Sequence, residues 1–271
     1  MTTTDNYLLG RADNEVTRLT RQIATLASET ETQLDRIGIR KGEKVVDLGC
    51  GPGGALHLLA GRVGTTGSVL GIDRSDHFVA LARDFVAEQE LSQVEVREGD
   101  AYDTGLPRAG FDGAHMRLLL VNVPEPERAV REMVALVRPG GWVANFEADY
   151  LPCCCDLPLP ALDRLMDAYR AYARAQGIDL SIGRQTHRLF REAGVVDIVV
   201  DAVVHVFPPG HERRLFLKNL IDNVRDRMLE AGFIRRDDLE RDMAALDKHL
   251  ARDDVQVISN MFFRLTGRVA G

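Results

Sequence analysis

Apolar positions recur at helical spacing through the first forty residues, at Leu19, Ile23, Leu26, Leu34 and Ile37, and predict a helix that GIRKGE brings to an end. The period then changes. KVVDLG has the length and composition of a buried strand, GGALHLLAGRV of a helix, SVLGID of a strand, DHFVALARDFVAEQE of a helix and VEVREGD of a third strand. FDGAHM predicts a fourth strand, EPERAVREMVALV a helix after Pro124 and Pro126, and GGWVANFEA a fifth strand. Strands alternating with helices imply a parallel sheet covered on both faces.

After Glu147 that rhythm stops. DYLPCCCDLPLP reads as a Pro-rich connection, with Leu151 to Pro160 the strongest linker candidate. ALDRLMDAYRAYARAQG is an amphipathic helix with Leu162, Leu165, Met166 and Tyr169 on one face, and RQTHRLFREAG is another helix. VVDIVVDAVVHVF is rich in β-branched residues and long enough to run along a sheet edge. Helices around Arg213 to Glu230 and Arg236 to Leu250 precede a last strand near VISNMFFRLTGRVA. No internal repeat or low-complexity segment is visible.

The 271 residues, 45% hydrophobic and 28% charged, have the balance of a soluble globular chain, and no apolar run reaches the length of about 18 residues that a membrane span needs. The opening MTTTDNYLLGRADNEVTRL lacks the basic and apolar regions of a secretory signal, so a cytoplasmic protein is expected. A net charge of −7 with basic residues scattered along the chain argues against a nucleic-acid partner and for a small molecule. Cys153, Cys154 and Cys155 are adjacent, a spacing that suits neither a disulfide framework nor a tetrahedral metal site, so no metal is assigned.

The segment VVDLGCGPGG fits a G-x-G-x-x-G spacing at Gly49, Gly51 and Gly54, yet it carries Asp47 two residues before the first glycine. In a dinucleotide site the loop amides and the helix N-terminus face a pyrophosphate, which a carboxylate there would oppose. S-adenosylmethionine carries an ammonium and a sulfonium and no phosphate, so an acid at the strand end favours it. The alternative is that Asp47 caps the loop's own amides. Asp73 ends the second strand, where an acid can accept both ribose hydroxyls, a feature shared with NAD sites. EGDAYD places Asp100 and Ala101 after the third strand, and RPGGWV supplies a tight turn at Gly140 and Gly141.

In this order VVDLGCGPGG, GIDRS, GDAYDTGLP and FDGAHMRLLLVNVPEPERAVREMVALVRPGGWV resemble the class I S-adenosylmethionine-dependent methyltransferases, in particular the small-molecule group around the ubiquinone and menaquinone biosynthesis enzymes. The likeness covers Tyr7 to Glu147; beyond it only the architecture is shared. It implies an α/β fold with a Rossmann-like, seven-stranded, mostly parallel sheet whose last strand is antiparallel, helices on both faces and a helical cap. The implied organisation is an N-terminal helical segment of the cap at 1–40, a cofactor-binding core at 41–150, and cap helices with closing strands at 151–271. By the same resemblance Asp47, Gly49, Gly51 and Gly53 would meet the methionine part of the cofactor, Asp73 the ribose with Arg74 beside it and Ser75 capping the next helix, and Asp100 and Ala101 the adenine. Arg117 would lie near the methionine group or the substrate, and Tyr7 and Arg11 would belong to a segment folding over the cofactor.

Methyl transfer from a sulfonium is an in-line displacement that needs a base only when the acceptor arrives protonated. Candidates where the fourth and fifth strands open are His115, Glu147, Asp149, Tyr150, His187 and His205. Glu147 is favoured as base or cation stabiliser, with Asp149 on the same side of the strand. Each has a plainer alternative. His115 reads more readily as a hydrogen-bonded core histidine, and His187 with Arg184, Arg188 and Arg191 more readily as a solvated basic face. Were that cluster to face the site, with Tyr150, it would suit an anionic acceptor. The expectation is a methyltransferase of bacterial secondary metabolism, acting as monomer or homodimer on a small molecule, with no nucleic-acid or membrane partner. Its rivals are an NAD(P)-dependent oxidoreductase and a non-catalytic S-adenosylmethionine-binding module. With lysines only at Lys41, Lys44, Lys218 and Lys248, no Tyr-x-x-x-Lys hydride site can be built.

Overall fold

The computed structural model describes residues 26–271. Tyr7 and Arg11, and the first part of the N-terminal helix expected from sequence, lie outside the described residues.

Helix α1 (Ala27–Ile37) ends at Gly38 and leads into β1 (Lys44–Leu48), α2 (Leu56–Val63), β2 (Ser68–Asp73), α3 (Asp76–Glu88), β3 (Val94–Glu98) and β4 (Phe111–Arg117). A 3₁₀ turn at Leu120–Asn122 joins β4 to α4 (Pro126–Leu136), which has proline in its first turn, where a missing N–H is harmless. Strand β5 (Val137–Asp149) follows, then β6 (Cys154–Cys155), α5 (Pro160–Ala175), a 3₁₀ turn (Ile182–Gln185), α6 (Thr186–Glu192) and β7 (Val195–Phe207). Helices α7 (Phe216–Glu230) and α8 (Arg236–Leu250) precede β8 (Val257–Val269). Ser75 caps α3, its Oγ accepting from the Phe78 N–H at 3.3 Å.

The strands run β3-β2-β1-β4-β5-β8, and β6 and β7 each pair with β8. β1 to β5 are mutually parallel, and β8 is antiparallel to β5, β6 and β7. The expected antiparallel last strand is therefore present, but the sheet has eight strands and not seven. Asp149, the last residue of β5, pairs with Met261, so β8 begins beyond the end of β5. Cys154 and Cys155 pair with Ile258 and Val257 and satisfy that open edge, which turns part of the expected linker into a strand. The other difference is the start of β5, which begins at Val137 and bulges before Trp142.

Alternate residues of the central strands feed two cores on opposite faces, as the two-residue period requires. Val45, Val69 and Ala144 join α1 and α2 residues on one face, while Val46, Leu70 and Val143 face the other. Gly113 in β4 is fixed by packing, because a Cβ there would stand 1.9 Å from the Trp142 ring. Helices α5, α7 and α8 pack on one another, and a bidentate Arg164–Asp242 pair at 2.8 and 2.6 Å ties α5 to α8.

Candidate active site

One cavity opens at the carboxyl ends of β1, β2 and β4, where parallel α/β sheets bind ligands, and encloses about 1400 Å³ of atom-free space, open solvent included. Asp47, Gly49, Gly51, Gly54, Asp73, Arg74, Asp100, Ala101, Arg117 and Tyr150, widely separated in the chain, all line it.

The glycine loop turns sharply after β1 and is bonded into the protein at every available donor. The N–H groups of Gly49 and Cys50 donate to the Ile72 carbonyl at 2.8 and 3.0 Å, and that of Gly51 to Asp73 Oδ2 at 2.9 Å. Pro52 has no N–H, and those of Gly53 and Gly54 reach the Cys50 carbonyl at 3.2 and 3.3 Å. A pyrophosphate cradle needs such amides free. Gly51, at φ +54°, has nothing within 4 Å of where a Cβ would stand, so the backbone lies open to the cavity there. Gly53 does not line the cavity; its Cβ would meet the Phe85 ring at 2.8 Å, and Gly54 lines the cavity in its place.

The acid that caps this loop is Asp73. Besides the Gly51 amide it takes the Ser75 N–H at 2.9 Å on its other oxygen, and burial raises its pKa against the pull of those two amides. Asp47 caps nothing. It is buried, and its Oδ1 lies 2.7 Å from His115 Nδ1 on the neighbouring strand. Arg117 donates to Thr30 Oγ1 of α1 at 3.2 Å; burial lowers its pKa, and the Asp47 charge works the other way. Asp100 lies over β3 and accepts from the Tyr102 N–H at 2.9 Å. Among the described residues the charged lining is thus three carboxylates and two guanidiniums.

The expected catalytic acids stand elsewhere. Glu147 is fully buried and outside the cavity lining, its carboxyl accepting from the backbone N–H groups of Leu120 at 2.8 Å and Ala148 at 3.0 Å. Desolvation pushes its pKa up to about 8, and a group so enclosed cannot reach an acceptor in the cavity. Asp149 is buried as well, bonded to Arg184 and to the Leu151 N–H at 2.9 Å. His115 is a core residue, bonded to Asp47. Arg184, His187, Arg188 and Arg191 are exposed away from the lining, and Arg188 pairs with Glu192 at 3.0 Å within α6. His205 lies on β7, 3.1 Å from Glu29. The basic cluster is a solvated face, and the anionic acceptor inferred from it loses its support.

Sequence reasoning passed over the other half of the lining, namely Tyr102, Leu118, Leu119, Val121, Asn122, Val123, Tyr169 and Leu180. Leu118 to Val123 form the turn after β4, with Leu118 held at φ +53° by its bond to the Phe146 carbonyl at 2.8 Å and by the Asn122 amide on its own carbonyl at 2.7 Å. A left-handed leucine is strained, and a run reading LLLVNV gives no sign of it. Tyr169 and Leu180 arrive from α5 and the segment after it, where the Tyr150 N–H donates to the Leu180 carbonyl at 2.8 Å.

The lining fits S-adenosylmethionine. Asp47, Asp73 and Asp100 match an ammonium, a ribose diol and an adenine amine in kind, Arg117 matches a carboxylate, and Gly51 leaves open backbone. It does not fit a pyrophosphate, which would meet the Asp47 carboxylate and no free loop amide.

Residues 45–141 match the model of a methyltransferase domain. A demethylmenaquinone methyltransferase of Geobacillus is 29% identical over 202 residues, covering 68% of this chain and 85% of the relative. An uncharacterized 37.1 kDa protein of a Streptomyces fradiae transposon is 34% identical over 203 residues, 72% of this chain and 56% of that one. The chain thus spans little more than half the length of that relative, and 54% of several other demethylmenaquinone methyltransferases it matches. The solved phosphoethanolamine N-methyltransferase of Haemonchus contortus in complex with S-adenosyl-L-methionine shares the fold at a TM-score of 0.57 and 17% identity, covering 90% of this chain and 53% of that one. Fold, cavity and domain match agree: residues 45–141 are a methyltransferase domain of the class I S-adenosylmethionine-dependent kind, in a chain that resembles the quinone-biosynthesis enzymes.

Proposed function

We propose that this protein transfers the methyl group of S-adenosylmethionine to a small, uncharged, largely apolar acceptor. The observation that carries the reading is the glycine loop, whose amides are consumed within the protein while the Asp47 carboxylate beside it lines the cavity. That arrangement repels a dinucleotide and attracts a cationic nucleoside.

When bound, the cofactor supplies an electrophilic methyl group on a sulfonium. Asp47 would hold its ammonium, Arg117 its carboxylate, Asp73 its ribose and Asp100 its adenine. The acceptor would lie against Leu118, Leu119, Val121, Val123, Tyr150, Tyr169 and Leu180, where the described lining carries no charged side chain. These residues exclude water and align the nucleophile, so proximity supplies the larger share of the rate enhancement. With Glu147, Asp149 and His115 all outside the lining, no general base is assigned, and the proton of a neutral acceptor would pass to water as the methyl group is transferred. Cytoplasmic secondary metabolism is the setting we infer, by a monomer or homodimer without a nucleic-acid partner; among the described residues no helix is long and apolar enough to cross a membrane.

The test is transfer of a tritium-labelled methyl group from S-adenosylmethionine to neutral phenols and naphthols, with phosphoethanolamine as the charged comparison. Labelling of the neutral set supports the reading. Labelling of phosphoethanolamine alone contradicts the acceptor class, and tight cofactor binding with no transfer to any of them favours the non-catalytic module.

A further inference from the structure

This inference rests on the reading that the cavity takes S-adenosylmethionine. Asp47 and His115 stand opposite one another in the β1–β4 register, both buried, with Oδ1 and Nδ1 2.7 Å apart. A carboxylate can only accept, so Nδ1 carries the hydrogen. Nε2 is also buried and has no hydrogen-bond partner among the described residues. A buried imidazole with one nitrogen unpaired is a poor core residue, since an apolar side chain of similar size would avoid the lost hydration. The Asp47 contact is the one bond that accounts for a histidine at this place.

The need for that bond lies across the cavity. Asp47 and Arg117 line the same space, and the Asp47 charge acts on Arg117. Arg117 is bonded to the neutral Thr30 hydroxyl, at 3.2 Å, and among the described residues to no carboxylate. A carboxylate free to turn about its own axis would be drawn toward that guanidinium, on which its charge already acts. Each charge would then be cancelled before a ligand arrived.

We propose that His115 is a positioning residue that keeps Asp47 and Arg117 apart. Its Nδ1–H fixes Oδ1, leaves Oδ2 for the amino group of the ligand, and so preserves an acid and a base for the two ends of an amino-acid head group.

Calorimetry with two probes separates this from a purely structural role. S-adenosylhomocysteine carries the amino-acid head, and 5′-methylthioadenosine is the same thioether nucleoside without it. For His115→Leu we expect S-adenosylhomocysteine to bind about tenfold more weakly, as befits one charge-assisted hydrogen bond, and methylthioadenosine to bind as in the unaltered protein. His115→Asn, which returns an N–H near the Nδ1 position, should recover most of the loss. Equal weakening of both probes, no change in either, or no recovery with asparagine overturns the proposal. ¹⁵N NMR of the unaltered protein adds a check independent of whether the variants fold: a His115 ring protonated at Nε2 and bare at Nδ1 also overturns it. If the unaltered protein binds neither probe, the cofactor reading itself fails and this proposal falls with it; unaltered binding with unselective variants refutes the positioning role alone.

Discussion

The two halves of the cavity are built by different means. Around the glycine loop almost every contact is a hydrogen bond between groups fixed by the first two strands, and the side chains are charged: Asp47 on His115, Asp73 on two backbone amides. Beyond Arg117 the lining is leucine, valine and tyrosine with one asparagine, Asn122, drawn from the turn after β4, the end of β5, and α5 with the segment after it. The first half tolerates little change, because its geometry is set by backbone. The second is assembled from segments dozens of residues apart and can be re-lined without disturbing the sheet. A cofactor common to many reactions belongs in the first and a specific acceptor in the second.

Removing a wall of the apolar half should have the largest effect on stability. Tyr169 is fully buried, and Tyr169→Ala is expected to cost about 3–5 kcal/mol in urea unfolding while S-adenosylhomocysteine affinity in the folded fraction changes little. A comparable loss of cofactor affinity would show that the two halves are one unit.

Glu147 provides the next effect, and its direction follows from its pKa, raised from 4.5 to about 8 in the folded protein. Between those values the native state holds a proton that the unfolded chain releases. Stability is therefore highest below about pH 4.5 with respect to this group, falls as pH rises through the interval, and levels off above about pH 8, by about a few kcal/mol in all. Glu147→Gln should flatten that slope, measured by unfolding at a series of pH values, and leave the pH dependence of cofactor binding as it was.

Within the charged half, Asp73→Asn puts an amide where two backbone N–H groups need acceptors, so a loss of about 1–3 kcal/mol in stability and at least about tenfold in cofactor affinity is expected. The smallest change is predicted for Arg184→Ala. Its guanidinium is half-exposed and its partner Asp149 keeps the Leu151 N–H, so thermal unfolding should register about 1 kcal/mol or less and methyl transfer to a neutral acceptor none. A turnover loss confined to anionic acceptors would restore the basic cluster to the site.

The same contrast explains what could be read from the sequence. The alternation of strands and helices, the cap at Ser75 and the assembly of Asp47, Gly51, Asp73 and Asp100 around one cavity are legible because each depends on local pattern and on a topology that such alternation dictates. Glu147 and Asp149 illustrate the limit. Two-residue periodicity puts them on the same side of β5, but it does not reveal that the turn at Leu120 covers one and Arg184 the other. The partner of Asp47 was hidden for a similar reason: His115 is recognisable as a core histidine, yet only the β1–β4 register sets it against the acid. Cys154 and Cys155 become a strand because β8 begins beyond the end of β5, a fact about two distant segments. The turn at Leu118 and the contributions of Tyr169 and Leu180 are long-range in the same way.

The account depends most on the charge character of the glycine-loop half, and calorimetry tests it directly. The protein and an Asp47→Asn variant are titrated with S-adenosylmethionine, S-adenosylhomocysteine and NAD under the same conditions. The account predicts micromolar binding of both sulfur nucleosides, weakened at least about tenfold in the variant, and no measurable heat with NAD. Binding of NAD in preference to the sulfur nucleosides, strengthened when Asp47 loses its charge, would contradict it.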